Sequence, residues 1–192
     1  MTATIEPELV ARAAQRDSRA TAALLAQLRP GLVRYCRARL GRIGGAYTTA
    51  DDVAQEVCLG VLRALPRYRD EGRPFSAFVY AIAANKVADA QRAAIRDAAT
   101  PTDAVVDRPD DGPGPEQQAV ATDLARRLSA LLDRLPPAQR EIVLLRVAVG
   151  MSAEEVGAAM GMTAAAVRVA QSRGLARLRT LAGSALDEVT AA

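Results

Sequence analysis

The chain has 192 residues, of which half are hydrophobic and only 3% are aromatic. This length suits one large domain or two small ones. Alanine, leucine and valine supply most of the apolar side chains, and alanine and leucine favour helix. The chain has no histidine and two cysteines, which excludes Ser–His and Cys–His catalysis and an ordinary zinc site without carboxylate ligands. We therefore expect an all-α protein with no catalytic residues, no cofactor and no metal.

Charge is distributed unevenly along the chain, although the net charge is only +3. Residues 1–96 hold 15 Lys and Arg against 9 Asp and Glu, and residues 119–192 hold 9 against 7. The connector between them, 97–118, holds 1 against 6. Two basic lobes around an acidic connector indicate an anionic partner such as nucleic acid. Nearly all the cations are arginine, whose planar group binds phosphate and guanine bidentately.

The sequence shows no targeting or membrane segment. Glu6 and Glu8 interrupt the N-terminus, which lacks an apolar h-region, and no apolar run is long enough to span a membrane. We expect a cytoplasmic protein without membrane insertion. Cys36 and Cys58 lie in helical patterns among apolar neighbours, so we expect buried reduced thiols rather than a disulfide or a redox sensor.

Helical periodicity and chain breakers divide residues 1–96 into five predicted helices. Pro30 is expected to stand in the first turn of the third helix, where its missing N–H costs little. Thr49 is a candidate N-cap of the fourth, with Asp51 and Asp52 in the first turn, where the helix dipole favours acids. The fourth helix ends before Pro66, and Pro74 opens the fifth. The predicted helices cover residues 6–16, 18–28, 30–40, 50–64 and 74–96.

The second half of the chain begins after a segment rich in Pro, Gly and Asp, residues 97–115, which predicts a flexible linker. Helices resume at Glu116, and a later run over 138–148 ends at Gly150. We therefore predict two small helical domains, joined by the linker, with a helix-turn-helix in the C-terminal domain, 116–192. Apolar residues at helical spacing are predicted to be core: Val120, Leu124, Leu128, Leu131 and Leu135.

Residues 151–179 have the pattern of a short helix, a tight turn and a longer helix. Ser152 and Glu155 have the spacing of a capping box, Gly161 can adopt the left-handed conformation that ends a helix, and Thr163 caps the next one. The inward positions are Val156, Met160, Val167, Ala170, Gly174, Leu178 and Leu181. The predicted outer positions are Ala164, Ala165, Arg168, Val169, Ser172 and Arg179.

This helix-turn-helix has the layout of a DNA-recognition motif. Small residues at the start of its second helix allow close approach to base edges in the major groove, and arginines contact bases or phosphates. The helix carries four arginines and no acid up to residue 179. A solvated basic face on an ordinary helical hairpin is the alternative.

The segment DDVAQEVCLGVL, residues 51–62, places its polar side chains on one arc of a helix. Valines and a leucine take the other side. An acidic patch on a basic lobe is expected to face a basic protein surface rather than DNA. Ordinary i,i+4 surface polarity is the alternative. The acidic arc consists of Asp51, Asp52, Gln55 and Glu56.

Aromatic side chains all precede the linker, and four of the six lie between residues 68 and 80, beside several arginines. Aromatic and basic groups together suit unstacked bases, which stack on rings while arginines hold the backbone. The alternative is that Phe75 and Phe78 anchor the long helix in the core, which we expect for Phe78. The loop 68–73 is the better candidate for DNA. The long helix then presents one polar stripe, formed by Asn85, Asp89, Arg92 and Arg96.

Together these segments resemble an extracytoplasmic-function (ECF) sigma factor, the minimal class of bacterial sigma-70-family initiation factors. DDVAQEVCLGVLRALPRY is similar to the polymerase-binding region 2.2, and PFSAFVYAIAANKVADAQR to regions 2.3–2.4, with the I-A-x-N-x-x-x-D-x-x-R pattern. LPPAQREIVLLRVAVGMSAEEVGAAMGMTAAAVRVAQSRGLARLR is similar to region 4.2. The match spans nearly the whole chain, and three ordered motifs are more specific than any one. The amino-acid sequences of these segments are similar to those of the actinobacterial sigma D group.

The resemblance implies a role for each segment and a protein that is not an enzyme. The partners would be core RNA polymerase, through its β′ clamp helices and β flap, promoter DNA, and an anti-sigma factor. The linker would run through a basic polymerase channel toward the RNA exit path. The implied polymerase-binding residues are Asp51, Asp52, Gln55 and Glu56. The implied −10 residues, which would hold a flipped base during melting, are Tyr68, Arg69, Arg73, Phe75, Asn85, Lys86, Asp89 and Arg92. The implied −35 residues are Thr163, Ala165, Arg168, Val169, Ser172, Arg173 and Arg177.

Two departures from the family pattern stand out. Phe78 occupies a position where the family usually has Trp, which is a tolerable packing change. Val169 and Ala170 follow Arg168 where the family often has Ser-Arg, so a −35 sequence preference does not transfer from other members. The alternative functions are a stand-alone regulator, which binds duplex DNA through 152–179 and dimerises or senses a ligand through its N-terminal half, and an enzyme. Against an enzyme stand the missing histidine and phosphate-binding loop and the absence of a compact acid pair.

Overall fold

The computed structural model describes residues 5–40, 49–98, 124 and 127–190, and within them every regular element is helical. The expected all-α class is confirmed. A 3₁₀ turn at Leu65–Arg67 follows the third helix, and a π-helical segment at Leu144–Val149 continues the sixth. The helices are α1 Pro7–Ala14, α2 Ser18–Leu40, α3 Ala50–Ala64, α4 Phe75–Ala98, α5 127–133, α6 Pro137–Val143, α7 Ala153–Met160 and α8 Ala164–Thr190.

The predicted helix pair around Pro30 is wrong, because residues 18–40 form the single helix α2 with Pro30 inside it. An interior proline removes one backbone hydrogen bond and costs about 3 kcal/mol. The helix nevertheless continues, since an unbroken apolar stripe with a spacing of four residues is buried on both sides of the proline. The stripe consists of Leu24, Leu28, Leu32, Cys36 and Leu40.

The predicted start and end of α3 are confirmed. The Thr49 hydroxyl accepts from the Asp52 N–H at 3.1 Å, and an Asp52 carboxylate oxygen accepts from the Thr49 N–H at 2.9 Å, which completes a capping box. The long helix α4 begins directly after Pro74, as predicted, and continues through Ala98 into the first residues of the predicted linker. The rest of that linker and Val120 lie outside the described residues.

The predicted core face of α5 is mostly wrong. Leu124 and Leu128 are 67% and 52% exposed, and Leu131 is half-buried, whereas Leu135 is buried as expected. Only the last turn of this segment packs on α6 and α8, so its buried residues lie at the C-terminal end. There a small cluster forms from Leu132, Leu135, Val143 and Leu144, with Ala38, Leu175 and Leu178 against it.

The helix-turn-helix has the predicted capping and turn. Ser152 and Glu155 form a capping box, and the Thr163 hydroxyl accepts from the Ala166 N–H at 3.2 Å. Gly161 has φ of 67°, in the left-handed region where glycine is favoured. Of the predicted inward positions, Val156, Val167 and Gly174 are buried, and the remaining ones are half-buried: Met160, Ala170, Leu178 and Leu181.

The N-terminal and C-terminal halves share one hydrophobic core in this structure. Its buried members include Leu32 and Val79 from the first half and Ile142 and Val156 from the second. Hydrogen bonds join the halves at the edge of this core: the Tyr35 hydroxyl donates to Glu141 Oε1 at 2.6 Å. Burial, followed by the charge of Glu141, raises the pKa of Tyr35 far above its usual range. The sequence had left the relative placement of the halves open.

Gly157→Ala is expected to lower the free energy of unfolding by about 1–3 kcal/mol, the usual cost of overpacking. Gly157 lies in α7, and a Cβ at this position would lie 2.6 Å from the Met162 carbonyl oxygen, a backbone atom of the tight turn that cannot easily move away. Urea denaturation followed by circular dichroism measures the change.

Gly183→Ala is the matched control, because this glycine also lies in a helix but a Cβ there meets nothing within 4 Å. It is expected to raise stability by up to about 1 kcal/mol through helix propensity. Equal free energies of unfolding for the two variants would show that the close approach at Gly157 does not affect stability.

Candidate protein and nucleic-acid interfaces

The acidic arc of α3 is exposed, as predicted, while Val53, Val57 and Val61 on the opposite side are buried. Its members differ in what else they do. Asp52 is held in the capping box, and Asp51 accepts from Arg37 at 2.7 Å. Glu56 lies 3.6 Å from the Lys86 ammonium of α4. Gln55 and Glu56 are therefore the polar residues of the arc whose side chains contribute least to holding the fold together.

An exposed leucine extends this arc and was missed by the sequence analysis. Leu59 is 37% exposed, one turn beyond Gln55 and Glu56 on the same side of α3. Its i+4 spacing from Gln55 is the signal that could have found it. An apolar side chain beside exposed acids gives this face the mixed character of a protein-binding surface.

Three aromatic rings pack together where α3 and α4 meet. The Tyr68 ring stands edge-on to Phe75, with centroids 5.1 Å apart, and lies 5.0 Å from Phe78. Phe75 is only 9% exposed, and Phe78 is half-buried against the core, as expected for the latter. In this conformation Phe75 supports Tyr68 from beneath, so Tyr68 is the more accessible of the two rings.

The loop before α4 carries exposed arginines on a defined turn. Gly72 has φ of 75°, and its N–H donates to Asp70 Oδ1 at 2.9 Å, which fixes the turn. Arg69 is exposed and donates to the Tyr68 carbonyl at 3.2 Å. Arg73 instead donates to the Ala158 carbonyl of α7, on the other half of the molecule.

The polar stripe of α4 is exposed along its length, as predicted for Asn85, Asp89 and Arg92. Arg92 is paired with Asp89 at 2.5 Å, so the acid orients the cation and offsets its charge. Lys86 is half-buried and faces Glu56 of α3. The structure therefore brings the predicted −10 residues of α4 next to the acidic arc through this ion pair.

An open groove of about 420 Å³ lies beside the aromatic cluster. Its wall combines the Tyr68 and Phe78 rings with two arginines that the predicted −10 set omits, Arg63 and Arg67. Their i,i+4 spacing, directly before Tyr68, is a sequence signal for a shared surface. Rings and guanidinium groups around an open groove suit an unstacked base and its phosphates. The groove is lined by Gly60, Arg63, Ala64, Arg67, Tyr68 and Phe78.

The outer face of α8 is exposed over its first four turns. Arg168, Ser172, Arg173 and Arg177 all lie on it, and Val169 is 50% exposed. Thr163 and Ala165 at the N-terminal end are exposed as well. This end offers small side chains and a helix N-terminus, which together allow close approach to a phosphate backbone and base edges.

One arginine of this face has a partner inside the motif. Arg168 pairs with Glu154 of α7 at 2.5 Å, and both side chains are about 60% exposed. A hydrogen bond from its own backbone N–H, followed by the Arg168 charge, lowers the pKa of the Glu154 carboxyl. An exposed pair of this kind contributes little stability, so Arg168 can exchange Glu154 for another anion at low cost.

The two cysteines are free; Cys36 is buried and Cys58 is half-buried. Burial, with a smaller contribution from Cys58, raises the pKa of the Cys36 thiol to about 12, which disfavours the reactive thiolate. Within the described ranges, no group of three or more cysteines and acids is placed to hold a metal ion. None of the helices described has both the length and the apolar character that crossing a membrane requires.

Two family models match this chain. Residues 24–97 match the model of sigma-70 region 2, and residues 125–178 match the model of sigma-70 region 4. The first match contains the acidic arc, the aromatic cluster and the polar stripe of α4. The second contains the helix-turn-helix.

Curated relatives and a solved structure agree with these matches. The chain is 53% identical over 184 residues to the ECF RNA polymerase sigma factor SigD of Mycobacterium tuberculosis, covering 96% of this chain and 84% of the relative. It is 54% identical over 183 residues to the ECF RNA polymerase sigma factor ShbA of Streptomyces griseus, covering 93% and 96%. A solved structure of CnrH in complex with the cytosolic domain of CnrY matches with a TM-score of 0.66 and 27% identity, over 92% of this chain and 96% of that one. The chain belongs to the sigma-70 family and is an ECF sigma factor for transcription initiation, a class of transcription regulators rather than enzymes.

Proposed function

We propose that this sigma factor binds core RNA polymerase through the acidic arc of α3 and directs it to −10 and −35 promoter elements, assisting DNA melting. The observation that carries the proposal is the placement of three different surfaces on one chain. They are an acidic arc on α3, an aromatic and basic groove that begins at the C-terminal end of the same helix, and a basic helix-turn-helix face on α8. Each suits one partner: a basic protein surface, unstacked bases and duplex DNA.

The acidic arc suits the β′ clamp helices as its partner. Gln55 and Glu56 are exposed at its centre, and Leu59 supplies an apolar contact at its edge. Glu56 exchanges its intramolecular partner Lys86, at 3.6 Å, for a polymerase cation. That exchange releases Lys86 toward the DNA side of α4, so polymerase binding and −10 contact are expected to support each other.

The groove at Tyr68 suits the melted −10 strand. Tyr68 offers a ring on which a flipped base can stack, and base–aromatic stacking contributes about 1–3 kcal/mol per base. Arg63 and Arg67 line the same groove, where they would contact the adjacent phosphates, and Arg69 is exposed in the loop after Tyr68. Asn85, Asp89 and Arg92 continue the surface along α4, and Phe75 acts beneath Tyr68 as its support.

The exposed face of α8 suits the −35 duplex. Its N-terminal turn carries Thr163 and Ala165 for close approach, followed by Arg168, Val169 and Ser172 for the major groove. Arg173 and Arg177 lie one and two turns further, where flanking phosphates would be. The acidic connector would occupy a basic polymerase channel, and region 4 would also contact the β flap.

Two further parts of the proposal concern the cellular setting. The chain would act in the cytoplasm, where its polymerase partner is found. An anti-sigma factor would control it, and the likeness to CnrH, solved with the cytosolic domain of CnrY, supports this.

Run-off transcription on a promoter library, with purified core RNA polymerase, tests the proposed function. Transcripts that start at defined positions only when the protein is added are the expected result, and their alignment yields the −10 and −35 elements. If no transcripts form and the protein does not co-elute with core enzyme, the chain works as a stand-alone regulator that binds duplex DNA through 152–179.

Gln55→Arg with Glu56→Arg is expected to lower the affinity for core polymerase by about 100-fold or more, since like charges brought together cost several kcal/mol. These positions leave the capping box of Thr49 and Asp52 intact, so α3 should keep its fold. Fluorescence anisotropy of the labelled protein titrated with core enzyme measures the affinity.

Glu8→Arg with Gln15→Arg makes the same change of charge at exposed positions in α1 and at its C-cap, and serves as the control. It should bind core polymerase like the wild type. If the α3 variant is folded by circular dichroism and binds core polymerase with unchanged affinity, the acidic arc is not part of the polymerase interface.

Arg168→Ala is expected to weaken discrimination among −35 sequences by about 1–3 kcal/mol at one or two base pairs, because a bidentate arginine–guanine contact is worth that much. Competition binding of the holoenzyme on single-base −35 variants gives the measurement. Arg134→Ala, an exposed arginine outside the α8 face, is the control and should change no preference. A uniform loss on all sequences would instead assign Arg168 to a phosphate.

A further inference from the structure

One ion pair joins the two helices of the helix-turn-helix on its exposed side. The Arg168 guanidinium of α8 donates to Glu154 Oε1 of α7 at 2.5 Å. Arg173 and Arg177, further along the same face of α8, have no carboxylate partner among the side chains that the structure describes. Arg168 therefore differs from these two cations in having an acid that fixes where its guanidinium lies.

The carboxylate of Glu154 is held in place by its own helix. Glu154 lies in the first turn of α7, directly after the N-cap Ser152. The N-terminus of a helix favours negative charge, because its backbone N–H groups point toward that end. A hydrogen bond from the backbone N–H of Glu154 itself is the main reason why the pKa of this carboxyl is lowered, ahead of the Arg168 charge. The anion is thus anchored at this position independently of Arg168.

The tight turn, rather than the ion pair, fixes α7 relative to α8. Val156 of α7 and Val167 of α8 are both fully buried in the shared core. The Met162 N–H donates to the Gly157 carbonyl at 2.9 Å, which closes the turn. An ion pair as exposed as the one between Glu154 and Arg168 adds little to this packing. What the pair does instead is to orient the long arginine side chain before DNA binds.

A guanidinium that is already bound to a carboxylate suits a base edge better than a phosphate. Arginine has five N–H donors, and a bidentate contact with guanine O6 and N7 uses two of them. Arg168 can therefore contact guanine while Glu154 stays bound. A phosphate is an anion that the carboxylate repels, so Arg168 would have to leave Glu154 to reach it. The carboxylate would then stand unpaired beside the DNA backbone.

We propose that Glu154 is a positioning residue for −35 recognition, which holds Arg168 toward a guanine and away from the phosphates. This inference rests on the proposed function and deepens it, since it names the base that Arg168 reads and the residue that sets this preference. Arg173 and Arg177, which have no such partner, supply the sequence-independent phosphate contacts. Glu154 thereby lowers the total attraction to DNA and raises the difference between the correct and the wrong sequence.

Glu154→Ala in the holoenzyme tests this role by competition binding on −35 duplexes in which one base pair at a time is replaced. Discrimination at the guanine that Arg168 reads is expected to fall about tenfold. Affinity for unrelated duplex should rise, and the plot of log K against log salt concentration should steepen by about 0.9, the value for one added phosphate contact. A purely structural role would not produce this pattern, because partial unfolding lowers affinity and discrimination together. Glu154→Gln keeps an acceptor oxygen and should retain part of the discrimination.

The double variant Glu154→Ala with Arg168→Ala shows whether the acid acts through the arginine. Its discrimination should equal that of Arg168→Ala alone, since two residues that act as one unit are not additive. Arg173→Ala is the matched control and should weaken binding equally on all sequences.

Equal discrimination by the wild type and a Glu154→Ala variant that is folded by circular dichroism would overturn the proposal. A further, additive loss of discrimination in the double variant would overturn it as well. If the wild-type holoenzyme itself shows no −35 preference, the −35 part of the proposed function fails instead.

Discussion

The buried stripe of α2 is the constraint on which the rest of the structure depends. It runs through Pro30 without a break, and the helix contacts α1, α3, α4 and the π-helical segment. Gly31 lies where a Cβ would come 2.6 Å from the Tyr80 hydroxyl and 3.7 Å from Val149, so the absence of a side chain there lets α4 and the second half approach together. The same helix thus builds region 2 and receives region 4.

The candidate binding groups share a second property: many already have partners of opposite charge within the chain. Glu56 faces Lys86, Asp89 faces Arg92, and Arg168 faces Glu154. Because exposed pairs contribute about 0–1 kcal/mol, each can be exchanged for a polymerase or phosphate partner with little loss. The internal partners also orient long side chains before binding, which reduces the entropy lost when they bind.

Local signals in the sequence were sufficient for much of the fold and of the candidate site. The caps at Thr49, Ser152 and Thr163 and the turn at Gly161 depend on residues three or four apart, and all are present in the structure. The exposed acidic arc and the outer face of α8 follow from helical periodicity in the same way. The wrong predictions concern positions where contacts with other segments determine the structure. Pro30 stays within a helix because of its buried neighbours, and packing against α6 and α8 determines which residues of α5 are buried.

The sequence by itself determined the helical class and the order of the motifs, because these depend on composition, spacing and short-range caps. Membership of the sigma-70 family was indicated by the resemblance of those motifs to known sigma factors. Only the tertiary structure decided that Phe75 supports Tyr68 from the core, that Arg63 and Arg67 join the groove, and that Arg73 is held by α7. These are contacts between different elements, and the contact of Arg73 with Ala158 joins residues 85 positions apart in the chain. The free energy of such contacts comes from the shape and burial of both surfaces together, and no local pattern records it.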